Sequence, residues 1–228
     1  MASRIQQNIQ QYLQIIHQAC QSCGRTDPVL LLAVSKKRSV DDIREAVAAG
    51  CTNFGESYVQ EAVSKIQLLQ DHSPPLNWHF IGPIQSNKAA LISEYFHWVH
   101  SLDRAKVALK LNEARPSSMQ PLNVCIQVNI SGEAAKSGVS YELLDDLLAV
   151  VQKCPRLRLR GLMAIGLNTD DKARLRQMFA QLRQTLERLN SAGLALDTLS
   201  MGMTQDLHEA IVEGSTIVRV GTGIFGPR

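Results

Sequence analysis

The feature that most constrains this chain is a repeated alternation of short apolar runs with amphipathic helical stretches. The first run, Val29–Val34, reads V-L-L-L-A-V without a polar residue. A strand with no apolar–polar alternation is buried on both faces, as in a parallel sheet covered by helices. Further strand candidates follow at Asn53–Glu56, Trp78–Ile81, His97–Ser101, Val124–Ile130, Leu159–Ile165, Thr198–Met201 and Ile217–Val220. A helical pattern follows each of the first seven. The clearest is the stripe Leu175, Met178, Phe179, Leu182, Leu186 and Leu189, whose spacing is that of one helix face.

Another helix, Ala2–Ser22, precedes the first strand, marked by Ile5, Ile9, Leu13 and Ile16. Eight strand–helix units in 228 residues predict an α/β fold. The expectation is a single (β/α)8 TIM barrel domain over residues 1–228 with an extra N-terminal helix. The alternative, an open doubly wound sheet, usually carries a glycine-rich loop after its first strand; here that position reads S-K-K-R. No helix is expected after the eighth strand, because the chain stops at Arg228, so the N-terminal helix is expected to cover that face.

Composition excludes several classes of function. The formal charge is only +3 and aromatics are 5% of residues, so neither a basic stripe nor a base-stacking platform is present and nucleic acid is not an expected partner. No stretch reaches the roughly 18 apolar residues of a membrane span, and the N-terminus lacks the apolar segment of a secretory leader. Five scattered cysteines do not make a disulfide framework and point to a reducing cytoplasm. No apolar surface patch is evident, so a monomer is expected.

In such a barrel the active site forms at the C-terminal ends of the strands. The first strand ends at Lys36. An amine at the inner lip of a barrel loses solvation, moves toward neutrality and becomes a nucleophile for aldehydes; taken alone, Lys36 reads first as a solvated charge closing a strand, since lysines at element ends are usually exposed. The seventh strand runs into S-M-G-M-T (Ser200 to Thr204) and the eighth into G-T-G (Gly221 to Gly223). Glycines admit close approach of an anion to the backbone and hydroxyls add donors, and this barrel recurrently binds phosphate between these two loops. Arg219 lies between Val218 and Val220 inside an apolar strand. It needs a partner there, either a carboxylate such as Glu56 or Asp103, or a ligand. Barrel closure sets the eighth strand beside the first, so Lys36, Arg219 and the phosphate loops converge on one rim. A ligand with an aldehyde, a polar ring and a phosphate matches all three, and pyridoxal 5′-phosphate has them.

Other signals are weaker. Cys20 and Cys23 form a lone C-x-x-C outside any redox-type unit. His97 and His100 fall on opposite faces of one strand, which separates them as metal ligands. His79 reads as a packed, hydrogen-bonded core histidine, and Lys136 as a solvated loop lysine.

The segments A-V-S-K (33–36), N-F-G-E-S-Y-V-Q-E (53–61), W-H-F-I-G-P-I-Q-S-N-K (78–88), K-S-G (136–138), R-G-L-M-A-I (160–165), L-S-M-G-M-T-Q-D (199–206) and R-V-G-T-G-I-F-G (219–226) resemble the pyridoxal-phosphate homeostasis proteins, which are related in fold to the N-terminal barrel of alanine racemase. The resemblance implies a Schiff base at Lys36 and phosphate contacts from Ser200, Gly221 and Thr222, with Met201 nearby. It also implies Arg219 facing the pyridine nitrogen and Asn53 close to the ring. An always-protonated arginine at that nitrogen weakens the ring as an electron sink, and none of Tyr12, Tyr58, Tyr95 and Tyr141 stands out as a second base. The leading expectation is a non-catalytic carrier that maintains intracellular vitamin B6, with cofactor-dependent apo-enzymes as transient partners. A weak amino-acid racemase and a cofactor-free Schiff-base aldolase on phosphorylated sugars are the alternatives.

Overall fold

The computed structural model describes residues 2–133 and 136–227. The chain opens with helix α1 (Arg4–Ser22) and continues with strand β1 (Leu30–Val34), α2 (Val40–Ala48), β2 (Asn53–Glu56), α3 (Val59–Leu68) and β3 (Asn77–Phe80). A single 3-10 turn, Ser86–Lys88, leads into α4 (Ala89–Tyr95), β4 (Trp98–Leu102), α5 (Ala105–Ala114), β5 (Leu122–Gln127) and α6 (Leu144–Val151). The remainder is β6 (Leu157–Met163), α7 (Lys172–Ser191), β7 (Thr198–Ser200), α8 (Leu207–Val212), β8 (Ile217–Val220) and α9 (Thr222–Phe225). The eight strands close into one barrel in sequence order, and every neighbouring pair is parallel. This is the (β/α)8 barrel that the alternation predicts.

The closing pair fixes the geometry of the site. β1 lies beside β8 with Leu30 opposite Ile217, Leu32 opposite Arg219 and Ala33 opposite Val220. The loops after the two strands therefore leave the barrel side by side.

Several predicted strands end late. The apolar runs continue to Ile81, Ile130 and Ile165, but β3, β5 and β6 stop at Phe80, Gln127 and Met163. The overshooting residues wall cavities at the barrel mouth: Ile81 one and Ile130 with Ile165 another. Of the three, Ile130 is buried, Ile81 half-buried and Ile165 exposed, so apolar character runs on past the ladder irrespective of burial.

α1 starts at Ser3, whose hydroxyl accepts from the Gln6 amide while the Gln6 side chain accepts from the Ser3 amide; this reciprocal cap satisfies two otherwise unpaired N–H groups. Its buried face, including Ile5, Ile9 and Ile16, packs against α2, α8 and α9, so it takes a place in the helix layer between α8 and α2. The expectation of no helix after β8 is corrected by α9. One turn is too short to show a helical repeat in sequence. Its packing is tight: a Cβ on Gly223 would lie 2.2 Å from the Tyr12 hydroxyl, and Asn8 Nδ2 donates to the Ile224 carbonyl at 2.8 Å.

Candidate functional site

β1 is followed by a turn in which the Arg38 amide donates to the Ser35 carbonyl at 3.0 Å. Lys37, its third residue, has φ 61°, the left-handed conformation for which glycine is preferred at that position. Lys36 precedes it and is half-buried. It shares the wall of a cavity of about 190 Å³ with Arg219, Gly221 and Thr222. Val34 and Ile81 supply apolar wall, and Met203 and Thr204 from the loop after β7 line it as well. Four of the seven residues singled out in the sequence thus meet in one cavity. A second cavity of about 430 Å³ adjoins it, lined by residues 166–169 and 203–206 and sharing Met203, Thr204 and Thr222.

Arg219 is buried and has neither carboxylate partner considered from the sequence. Glu56 pairs with Lys65 at 2.9 Å and Asp103 with Arg104 at 2.8 Å. Instead, one guanidinium nitrogen of Arg219 donates to the Ser200 carbonyl at 2.6 Å and the Ser200 hydroxyl at 2.8 Å, and another donates to the Ala164 carbonyl at 2.8 Å. Burial lowers its pKa to about 10, which leaves it cationic at neutral pH. A buried cation held by carbonyls, at the wall of a cavity, is suited to a ligand that brings an acceptor.

The Ser200 hydroxyl continues into a buried polar chain. It lies 2.7 Å from His100 Nδ1; His100 Nε2 lies 2.9 Å from His79 Nδ1; His79 Nε2 lies 3.1 Å from Asn53 Oδ1. Burial drives the pKa of His79 down to about 3 and holds His100 well below its usual value, so both rings are neutral. With Asn53 Oδ1 accepting at one end and Arg219 able only to donate at the other, one proton order follows. His79 donates to Asn53, His100 to His79, Ser200 to His100, and Arg219 to Ser200.

This chain refines the sequence-based site. Ser200, expected to offer its hydroxyl to phosphate, uses it to join Arg219 to His100. Asn53, expected near a ligand ring, stands at the start of β2 and is absent from the cavity wall; it connects to the cavity through the histidines. Met201 is buried, with its amide donating to the Ile217 carbonyl at 3.2 Å. Sequence reasoning missed Thr204 and Met203 as wall residues, although S-M-G-M-T contains both. It read His79 as a packed, hydrogen-bonded core histidine without naming a partner; the barrel supplies one in His100, across β3 and β4. His97 has a different partner, accepting from the Trp78 amide at 3.1 Å.

A closed eight-stranded barrel with a lysine after its first strand and an arginine inside its eighth defines the class of protein. Residues 3–228 match the family model described as alanine racemase, N-terminal domain. The structure of alanine racemase from Corynebacterium glutamicum is similar at a TM-score of 0.70 and 16% identity, over 99% of this chain and 60% of that one; this likeness concerns the fold alone. Curated relatives named pyridoxal phosphate homeostasis protein are much nearer. That of Pseudomonas aeruginosa is 54% identical, covering 99% of this chain and 96% of its own length; that of Escherichia coli is 46% identical, covering 98% and 97%. The structure of PipY from Synechococcus elongatus with PLP bound matches at a TM-score of 0.80 and 36% identity, over 92% of this chain and all of that one. The chain belongs to the pyridoxal phosphate homeostasis protein family.

Proposed function

We propose that this chain binds pyridoxal 5′-phosphate, holds it covalently through Lys36, and buffers vitamin B6 without catalysing turnover. The observation that carries this reading is the single cavity onto which Lys36, Arg219, Gly221 and Thr222 all open. The cofactor's aldehyde condenses with a primary amine and releases water. Lys36 is the amine within the cavity wall. Arg219, fixed by Ser200 and Ala164, presents an N–H donor to a ring acceptor and keeps a nitrogen there unprotonated. The N–H groups opening α9 lack helical partners; with the hydroxyls of Thr222 and Thr204 they suit a phosphate. The naming of the curated relatives and the cofactor in PipY support the same ligand.

The carrier reading is favoured over a racemase by the placement of the tyrosines. Tyr12 packs against Gly223, Tyr58 is exposed on the rim, Tyr95 bonds Gln67 at 3.2 Å, and the Tyr141 hydroxyl is buried without a partner. None lines the Lys36 cavity. Among the described residues no helix is long and apolar enough to cross a membrane, and all five cysteines are free, which suits the cytoplasm. Apo-enzymes that use the cofactor are the proposed transient partners of a monomeric carrier.

The test is a spectral titration with pyridoxal 5′-phosphate, paired with α-hydrogen exchange on a panel of amino acids in deuterated water. The reading expects a visible band in the wild type, its loss in Lys36→Ala, and no Lys36-dependent exchange. Exchange that depends on Lys36 would replace the carrier with an enzyme.

A further inference from the structure

The segment that carries Lys36 is gripped from outside the cavity by three charged side chains. Strand alternation turns Val34 and Lys36 toward the cavity and Ser35 to the opposite side, under α3. There Lys65 Nζ donates to the Ser35 carbonyl at 2.8 Å, to Glu56 Oε1 at 2.9 Å and to Glu61 Oε1 at 2.5 Å. The Ser35 hydroxyl donates to Glu56 Oε1 at 2.7 Å, and the Lys37 amide donates to Glu61 Oε1. The residues on both sides of Lys36 are therefore tied to one cluster.

Stability alone does not account for it. Glu56 and Lys65 are both buried, and a buried ion pair is often no more stabilising than apolar residues of the same volume. The Glu56 Oε2 atom has no hydrogen-bond partner, which adds cost. Lys37 adds a left-handed backbone where a side chain is disfavoured. Such a conformation persists when its surroundings over-determine it, and here they do: the Ser35 amide donates to the Gly55 carbonyl at 3.0 Å, and the Ser35 carbonyl accepts from both Arg38 and Lys65.

We infer that Lys65, Glu56 and Glu61 are positioning residues that fix the Ser35–Lys37 backbone so that the Lys36 amine points into the cavity. This rests on the reading of Lys36 as the attachment point. The cluster touches no ligand; it acts by removing the freedom of the turn, which raises the fraction of time the amine is aligned for attack.

The full-length chain with Glu61→Ala, Glu61→Gln, Ser35→Ala and Lys65→Met tests this, with Glu213→Ala, which removes a remote partner of Arg176, as control. Lys65→Met strands a buried carboxylate and can fail to fold, so the Glu61 pair decides. Three quantities are read: the thermal midpoint, the rate of borohydride-trapped mass gain with pyridoxal 5′-phosphate, and the affinity for pyridoxine 5′-phosphate, an alcohol that fills the cavity without attaching. Positioning predicts that Glu61→Ala slows attachment about tenfold with analogue affinity unchanged, and that Glu61→Gln, which retains an acceptor, restores most of the rate. A wild-type attachment rate in Glu61→Ala overturns the inference, and so does an equal loss of attachment and analogue affinity. A trapped adduct that persists in Lys36→Ala overturns instead the attachment point on which the inference rests.

Discussion

Arg219 and Ser200 are joined twice through one guanidinium nitrogen, to the serine carbonyl at 2.6 Å and to its hydroxyl at 2.8 Å. The contact links the cavity wall to the buried chain through His100, His79 and Asn53. The arginine is thus fixed by the interior of the barrel while standing in the cavity wall.

Removing the shared hydroxyl should be felt along that chain. Ser200→Ala leaves Arg219 its carbonyl contacts but strips His100 Nδ1 of its donor. A buried polar atom left unpaired costs about 1–3 kcal/mol. Urea unfolding should show a loss of that size with an unchanged slope. A neutral result would mean that the hydroxyl contributes nothing to holding either side chain.

Replacing the guanidinium tests its part in binding. Arg219→Met keeps most of the volume but leaves the Ala164 and Ser200 carbonyls without their donor and removes the buried charge. Spectral titration should show weaker binding of pyridoxal 5′-phosphate by about tenfold or more, the worth of a charge-assisted hydrogen bond. Wild-type affinity in a folded Arg219→Met protein would remove Arg219 from the site.

The two histidines predict a pH dependence of stability. In the unfolded chain they titrate near 6.5, whereas burial, with a smaller effect from His97, lowers His79 to about 3. His100 is lowered by burial first, then by His79 and Arg219. A depressed folded value means that the stability contributed is complete above the unfolded value and is lost as pH falls. Each histidine then removes up to about 1.4 kcal/mol per pH unit below about pH 6.5. Thermal midpoints should drop steadily from about pH 7 to about pH 5, and His79→Gln should flatten the slope. A slope unaltered by that substitution would contradict the assignment.

The docking of α1 against α9 gives a prediction for stability. A methyl on Gly223 would meet Tyr12 Oη at 2.2 Å and Cζ at 2.4 Å, so Gly223→Ala should cost about 1–3 kcal/mol by overpacking. Combined with Tyr12→Ala, the two losses should sum to less than their separate values, because the residues touch. Simple additivity in the double-mutant cycle would place the strain elsewhere.

Much of this could be read from sequence because its cause is local. The V-L-L-L-A-V run, the leucine stripe of α7 and the position of Lys36 depend on neighbours a few residues apart, and closure of a predicted barrel alone brings Arg219 beside the first strand. What stayed hidden depends on side-chain direction across the barrel. Asn53 and His79 are 26 residues apart, and His100 and Ser200 are 100 apart; no spacing rule pairs them. The grip of Lys65 on Ser35 was invisible for a related reason. It requires knowing that α3 packs back over the turn after β1, so that a lysine in a helical pattern becomes buried beside Glu56. The late strand ends at Ile81 and Ile165 reflect the difference between an apolar residue and one in a ladder.

The central claim concerns one nitrogen. Peptide mapping after borohydride treatment of the protein loaded with pyridoxal 5′-phosphate locates the attachment directly. The account predicts a single modified residue, Lys36, and no modification of the Lys36→Ala chain under the same treatment. Equal modification of that variant, or a principal adduct on Lys37, Lys65 or Lys136 in the wild type, would contradict it.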